Sequence, residues 1–178
     1  MARIRTAVLI SILLLPLMAR VQMTQIFVYG TLKKGQPNYF EMVDKNNGKA
    51  EYCGKAQTVE KYPLVIAGKY NIPFLLNVPG SGQQVRGEIY YVDKQMLQFL
   101  DKFEDCPRMY QRTPMKLWVE EWKVGSNLSE VTPTVGSIIE AFAYSTTTYQ
   151  PEWLNLTCFD SYDAYGDHGL IYTERKKR

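Results

Sequence analysis

The sequence predicts a small α+β protein whose sheet curls or closes around a central cavity. Three observations carry that expectation. About six segments have strand character between turn signals, whereas a single segment has firm helical periodicity. Thirteen tyrosines suit β-rich structure packed by polar-tipped rings. A chain of 178 residues with 46% apolar content has enough material for one domain with a single good core.

The elements follow in chain order. Residues 1–22, MARIRTAVLISILLLPLMARVQ, have a basic start, an apolar run ending at Ala19 and then Arg20. The run is too short for a stable membrane span and has the layout of a secretory signal peptide, although Leu17 suits cleavage after Ala19 poorly. Met23 follows at once and offers an alternative start. The expectation is a signal-like or alternative-start leader at 1–22 and one folded domain at 23–178. The cytosol is the expected location if translation starts at Met23, and the secretory pathway if the leader acts as a signal. The glycosylation tripeptides at Asn127 and Asn155 matter only in the second case.

Residues 25–29 read as a buried strand, and Asn46-Asn47-Gly48 as a turn. Residues 62–67 and 74–78 read as strands, with a turn at Pro79-Gly80-Ser81-Gly82. Residues 84–92 form a further strand in which Gly87 marks a bulge or a close backbone approach. Asp93 caps the helix that follows, and Pro107 ends it. Residues 111–122 are a long strand made edge-like or kinked by Pro114. Residues 125–136 are a polar, proline-containing loop, and 138–145 are the last strand. The final thirty or so residues, aromatic and irregular, are expected to wrap the surface.

Charge excludes some functions. Three of the 21 basic residues, Arg3, Arg5 and Arg20, fall in the acid-free leader, and the remainder balances the 18 acidic residues. A neutral domain gives no basis for nucleic-acid binding, and the closing RKKR reads as a solvated tail. Cys53, Cys106 and Cys158 are scattered without a CxxC pair, which fits neither a disulfide framework nor a zinc site. His168 is the one histidine, so a metal cluster or a catalytic triad built on histidines has little to draw on. It reads as a surface or tail-packing residue, and Trp118, Trp122 and Trp153 read as packing residues.

The helix carries the most informative geometry. At about 100° per residue, Met96, Leu97, Phe99, Leu100 and Phe103 share one face. Glu104, four residues after Leu100 and seven after Leu97, projects onto that same face. A carboxylate aimed at a core is costly unless paired or protonated, and desolvation raises its pKa into a range useful to a general base or acid. The structural alternative is that Glu104 frays outward at the helix end or bonds a backbone N–H near Pro107. Glu88 is a rival carboxylate whose face strand alternation does not decide.

The second feature is FVYGTLKKGQPN, residues 27–38. A strand that opens at Gly30 into a basic loop is either a plain turn or a cradle of convergent backbone N–H groups for an anion. Lys33 and Lys34 either steer an anionic substrate or sit in solvent.

Together with YPLVIAGKYNIPFLLNVPGSG, VRGEIYYVD, LDKFEDCPRMYQRT and DSYDAYGDHGLIY, these stretches resemble the γ-glutamyl cyclotransferase family, and within it the γ-glutamylamine cyclotransferase branch. The resemblance spans residues 25–172. It implies a small mixed β-barrel with a few packed helices. It implies release of 5-oxoproline and a free amine from a γ-glutamylamine, notably ε-(γ-glutamyl)-lysine, a remnant of degraded transglutaminase cross-links. It also implies that Tyr29, Gly30, Thr31 and Leu32 bind substrate and that Glu104 is the catalytic acid/base. The substrate's own α-amine is the nucleophile, so the reaction calls for no metal, no cofactor and no Ser, Cys or His nucleophile. The loop holds either the oxyanion or the α-carboxylate. A cis bond at Ile72–Pro73 is a further expectation. The expected partner is a small-molecule γ-glutamylamine dipeptide and the expected state a monomer. Two other readings stand beside this one: a sister cyclotransferase acting on γ-glutamyl amino acids or glutathione, and a non-catalytic γ-glutamyl-binding module.

Overall fold

A computed structural model describes residues 22–123 and 132–174. The leader apart from Gln22, most of the 125–136 loop with the Asn127 tripeptide, and the RKKR tail lie outside the described residues. In chain order the elements are β1 (Thr24–Val28), α1 (Tyr39–Val43), β2 (Ala50–Tyr62), β3 (Leu64–Ala67), β4 (Ile72–Leu75), β5 (Gln83–Val92), α2 (Lys94–Phe103), β6 (Gln111–Trp122) and β7 (Ile138–Ser145). Among these elements no helix is long and apolar enough to cross a membrane.

Five strands close a barrel in the order β1-β5-β2-β6-β7. The neighbours are antiparallel except at the seam, where β7 meets β1 in parallel at Phe142 and Ile26. Closure removes the exposed edges that an open sheet would carry. A β3–β4 hairpin forms a separate two-stranded sheet whose Leu64, Ile66 and Leu75 pack into the barrel's buried cluster. The expected mixed barrel with packed helices is therefore the architecture found.

Period-2 alternation explains why both faces of β1 and β5 are apolar. Phe27, Val85, Ile89 and Tyr91 join one buried cluster. Ile26, Val28, Tyr90 and Val92 join a second, which α2 covers with Met96 and Leu100. Gly87 is a close approach: a Cβ there would lie 2.5 Å from the Val28 carbonyl oxygen and 2.7 Å from the Phe27 ring. Pro114 occupies the half of β6 that pairs with β7 alone, because pairing with β2 begins at Leu117. A residue without an N–H is tolerated on such an edge-like stretch.

Several expectations need correction. β2, the longest strand, was not expected, because two register shifts interrupt its alternation. Its Gly54 lets the chain pass β6, where a Cβ would collide with the backbone carbonyl of Glu121. The cis peptide bond among the described residues is Cys106–Pro107, not Ile72–Pro73. The irregular C-terminal stretch does more than wrap the surface: Tyr162 and Ala164 enter the same cluster as Phe27 and Tyr29.

Candidate active site

A cavity of about 770 Å³ opens where β1 runs out. Tyr29, Gly30, Thr31, Leu32 and Glu104 all line it, so the two features singled out in the sequence meet at one place.

The binding-loop candidate is held from several sides. Tyr29 is buried, and its hydroxyl donates to the Tyr144 carbonyl oxygen at 2.6 Å. Gly30 passes beneath Pro73, whose Cγ would lie 3.1 Å from an added Cβ. Pro73 is fixed in turn by the buried Tyr110, which donates its hydroxyl to the Pro73 carbonyl at 3.0 Å and stacks on Phe74. The turn closes through Lys33 N–H to the Gly30 carbonyl at 3.1 Å and Asn38 N–H to the Thr31 carbonyl at 2.9 Å.

Glu88, the rival carboxylate, belongs to this support. Its Oε2 accepts from the Lys34 N–H and from the Tyr90 hydroxyl, each at 2.9 Å. Lys33 neither points freely into solvent nor serves as a loose steering charge. Its ammonium donates to the Tyr162 carbonyl at 2.7 Å and to Ser161 Oγ at 3.2 Å. Burial holds its pKa below the ordinary lysine value, against the opposing pull of Glu88, Asp163 and Asp160. Gln36 adds a second clasp, donating to Asp163 Oδ1 at 3.0 Å and accepting from the Ala164 N–H at 2.8 Å. His168 packs in the same tail, edge-on to Phe159.

Glu104 arrives from the other side, at the end of α2. Asp93 starts this helix by accepting the Met96 N–H at 2.8 Å. The helix stops in a Schellman motif: Cys106 N–H bonds the Asp101 carbonyl at 2.8 Å and Asp105 N–H bonds the Lys102 carbonyl at 3.2 Å. Asp105 takes the left-handed position, with φ 52, and Arg108 grips its carboxylate at 2.6 Å. Glu104 is the cap residue between helix and turn, so its backbone is fixed on both sides. Its side chain is half-buried at the cavity wall beside Phe99 and Phe103 rather than deep in the core. The helical wheel aimed Glu104 at the core between Leu97 and Leu100; the helix instead ends at Phe103, and the carboxylate lies at a cavity wall shared with Phe99, Phe103, Lys102 and Asp105.

The electrostatics around Glu104 favour protonated phenols. Burial raises the Tyr29 pKa well above the tyrosine value, and the charge of Glu104 raises it further. Burial also raises Tyr144, helped by its hydrogen bond to Asp101, by the charge of Asp101 and by Glu104, with Arg112 opposing. Tyr144 donates its hydroxyl to Asp101 Oδ1 at 2.7 Å, and Arg112 Nε pairs with the same oxygen at 2.9 Å. The phenols near Glu104 thus stay neutral, their protons held by the Tyr144 carbonyl and Asp101, and the one cavity offers a carboxylate, hydroxyls and a loop backbone.

The lining residues that escaped the sequence reading include Asn38, Glu41, Pro73 and Tyr172. Asn38 and Tyr172 are end residues of the motifs FVYGTLKKGQPN and DSYDAYGDHGLIY, which was the available signal. Glu41 is a buried carboxylate that accepts from the Asn47 side chain at 2.9 Å. Nothing in the periodicity of its five-residue helix marks it.

Comparison with known proteins gives a consistent picture. The family described as "Gamma-glutamyl cyclotransferase, AIG2-like" matches residues 26–163. A protein of Mus musculus named gamma-glutamylaminecyclotransferase is 53% identical, over 88% of this chain and 100% of its own length. Its Homo sapiens namesake is 47% identical over the same shares of the two chains. The crystal structure of an AIG2-like protein from Mus musculus superposes with a TM-score of 0.79 at 52% identity, covering 88% of this chain and 99% of that one.

Proposed function

The chain belongs to the gamma-glutamyl cyclotransferase, AIG2-like family, and from that premise we propose that it is a γ-glutamylamine cyclotransferase. It converts ε-(γ-glutamyl)-lysine to 5-oxoproline and free lysine, a step that would help clear the remnants of transglutaminase cross-links. The observation that carries this reading is the convergence of Glu104 and the Tyr29–Leu32 segment on one cavity. The names of the relatives support the choice of substrate class. The domain at 23–178 carries the activity, in the cytosol when translation starts at Met23.

In the proposed reaction the α-amine of the glutamyl unit attacks its own γ-amide carbonyl. Tethering makes this step unimolecular, so the protein has only to hold the folded-back conformer. The α-amine is an ammonium in water and has to lose a proton before it attacks. Glu104 takes that proton. The new C–N bond closes a five-membered lactam, and the carbonyl oxygen becomes an oxyanion stabilised by N–H groups of the Gly30–Leu32 backbone. As the intermediate collapses the ring nitrogen sheds its second proton to solvent and the bond to the leaving amine breaks; that amine takes one proton back from Glu104 and a second from solvent, and departs as an ammonium. Atoms balance with no water consumed: the dipeptide becomes 5-oxoproline plus lysine. Tyr29 and Tyr144, both kept protonated, hold the surroundings of Glu104 polar without adding negative charge.

A substrate panel tests the reading. The protein is incubated with ε-(γ-glutamyl)-lysine, γ-glutamyl-alanine and glutathione, and 5-oxoproline is measured. Release from the lysine compound alone is the expected result. Release from the other two instead would move the protein to a sister activity, and binding without turnover would mark a γ-glutamyl-binding module.

A further inference from the structure

Asn38 links two hydroxyls on the cavity wall. It is 7% exposed, and its amide donates to Thr31 Oγ1 at 2.9 Å and to Tyr172 Oη at 3.0 Å. An amide nitrogen has two hydrogens diverging by about 120°, so the two oxygens lie roughly 5 Å apart. Each hydroxyl therefore accepts from Asn38 with a lone pair and keeps its own proton to donate. Asn38, Thr31 and Tyr172 all line the cavity. Two O–H donors at that spacing straddle a carboxylate, one to each oxygen at about 2.7 Å.

Tyr172 is also held in place along the chain. Asn71 donates to the Ile171 carbonyl at 2.8 Å, and Thr173 N–H bonds the Tyr70 carbonyl at 3.0 Å. The residues on either side are thus pinned to the β3–β4 hairpin, and the ring packs against the barrel cluster. This arrangement is pre-organised rather than assembled by ligand. Tyr172 lies beyond the 26–163 stretch that the family description matches.

We propose that Tyr172, oriented by Asn38 and paired with Thr31, binds the α-carboxylate of the γ-glutamyl group. This proposal rests on the cyclotransferase reading and deepens it: the C-terminal segment completes the substrate site, and the loop N–H groups are left for the oxyanion. Asn38 is a positioning residue, whereas Tyr172 touches substrate.

The test is Tyr172→Phe in the full chain, which keeps the ring and removes the hydroxyl. Affinity is measured for 5-oxoproline and for 2-pyrrolidinone, the same lactam without a carboxylate, alongside KM and kcat for ε-(γ-glutamyl)-lysine. The expected result is a loss of about tenfold or more in 5-oxoproline affinity and a matching rise in KM. Binding of 2-pyrrolidinone and kcat stay within about twofold of wild type. Unchanged 5-oxoproline affinity and KM would overturn the proposal, and so would equal weakening of both lactams or a loss confined to kcat. A wild-type protein that binds 5-oxoproline but releases it from no γ-glutamyl substrate overturns the catalytic reading alone, because the lactam comparison still reads Tyr172. A wild type that binds neither lactam and turns over nothing overturns both.

Discussion

The Tyr29 hydroxyl donates to the Tyr144 main-chain carbonyl at 2.6 Å, while the Tyr144 side chain reaches Asp101, three residues before Glu104. One tyrosine of β7 therefore couples the proposed substrate loop to the helix that ends in the acid/base candidate. The loop and Glu104 come from distant parts of the chain, and this buried connection fixes their separation.

Removing the Tyr144 hydroxyl tests that coupling. Tyr144→Phe deletes a buried, charge-assisted bond to Asp101 and leaves Arg112 as that carboxylate's partner. The expected cost is about 1–2 kcal/mol of stability by denaturant unfolding. A loss of about tenfold in kcat/KM should accompany it, because small misplacement of reacting groups is expensive. Unchanged kinetics in a destabilised variant would show that the link supports the fold alone.

The helix end makes a second prediction. Asp105 adopts φ 52 in the Schellman turn after Glu104. Glycine carries no penalty there, so Asp105→Gly should hold stability within about 1 kcal/mol of wild type even after losing the Arg108 pair. Asp105→Val, β-branched in a left-handed conformation, should cost about 2 kcal/mol and lower activity by displacing Glu104. Thermal unfolding and turnover of the two variants provide the check, and equal behaviour of the pair would contradict the role given to this turn.

Gly30 supplies a third. A Cβ at this position lies 3.1 Å from Pro73 Cγ, and Pro73 is itself fastened by Tyr110. Gly30→Ala should push the loop by tenths of an ångström, raising KM or lowering kcat with a combined effect of about tenfold or more on kcat/KM. Stability should change little. Wild-type kinetics would mean that the loop's backbone position is not critical.

The buried phenols set the response to alkali. Burial raises Tyr29, Tyr62, Tyr90, Tyr144 and Tyr162 above the ordinary value of 10.0 and raises Tyr52 to about 12. Above about pH 10 the unfolded chain gives up protons that these residues retain in the native state, so stability falls as pH rises through that window. Lys33, whose pKa is lowered, acts in the opposite direction just below its reference of 10.5. One lysine against six tyrosines leaves a net loss. Tyrosinate absorbance should therefore lag for the buried rings and appear together with loss of the near-ultraviolet circular dichroism. All tyrosines titrating near 10 in a folded protein would contradict the packing described.

Much of this was legible in the sequence. Strands β6 and β7 stood out by strand-forming composition between turn signals and helix α2 by its apolar period, and Glu104 stood out because it broke the pattern of its own helix. The loop at Gly30 was marked by a strand that ran straight into a basic, glycine-containing stretch. β2 was hidden because its bulges change which face successive residues take, and a period that resets cannot be read as a period. Glu88 could not be assigned because alternation on a strand buried on both sides leaves the face undecided. Asn38 and Tyr172 were invisible as a pair, since their contact joins the two ends of the folded domain and no local rule anticipates it.

The central claim is that Glu104 moves the proton, and Glu104→Gln tests it most directly. Glutamine keeps the shape and the hydrogen-bonding capacity but cannot accept the α-ammonium proton. With ε-(γ-glutamyl)-lysine as substrate, kcat should fall by about 10²–10⁴-fold, while KM, 5-oxoproline affinity and the unfolding temperature stay close to wild type. A folded variant that releases 5-oxoproline at the wild-type rate would contradict the account.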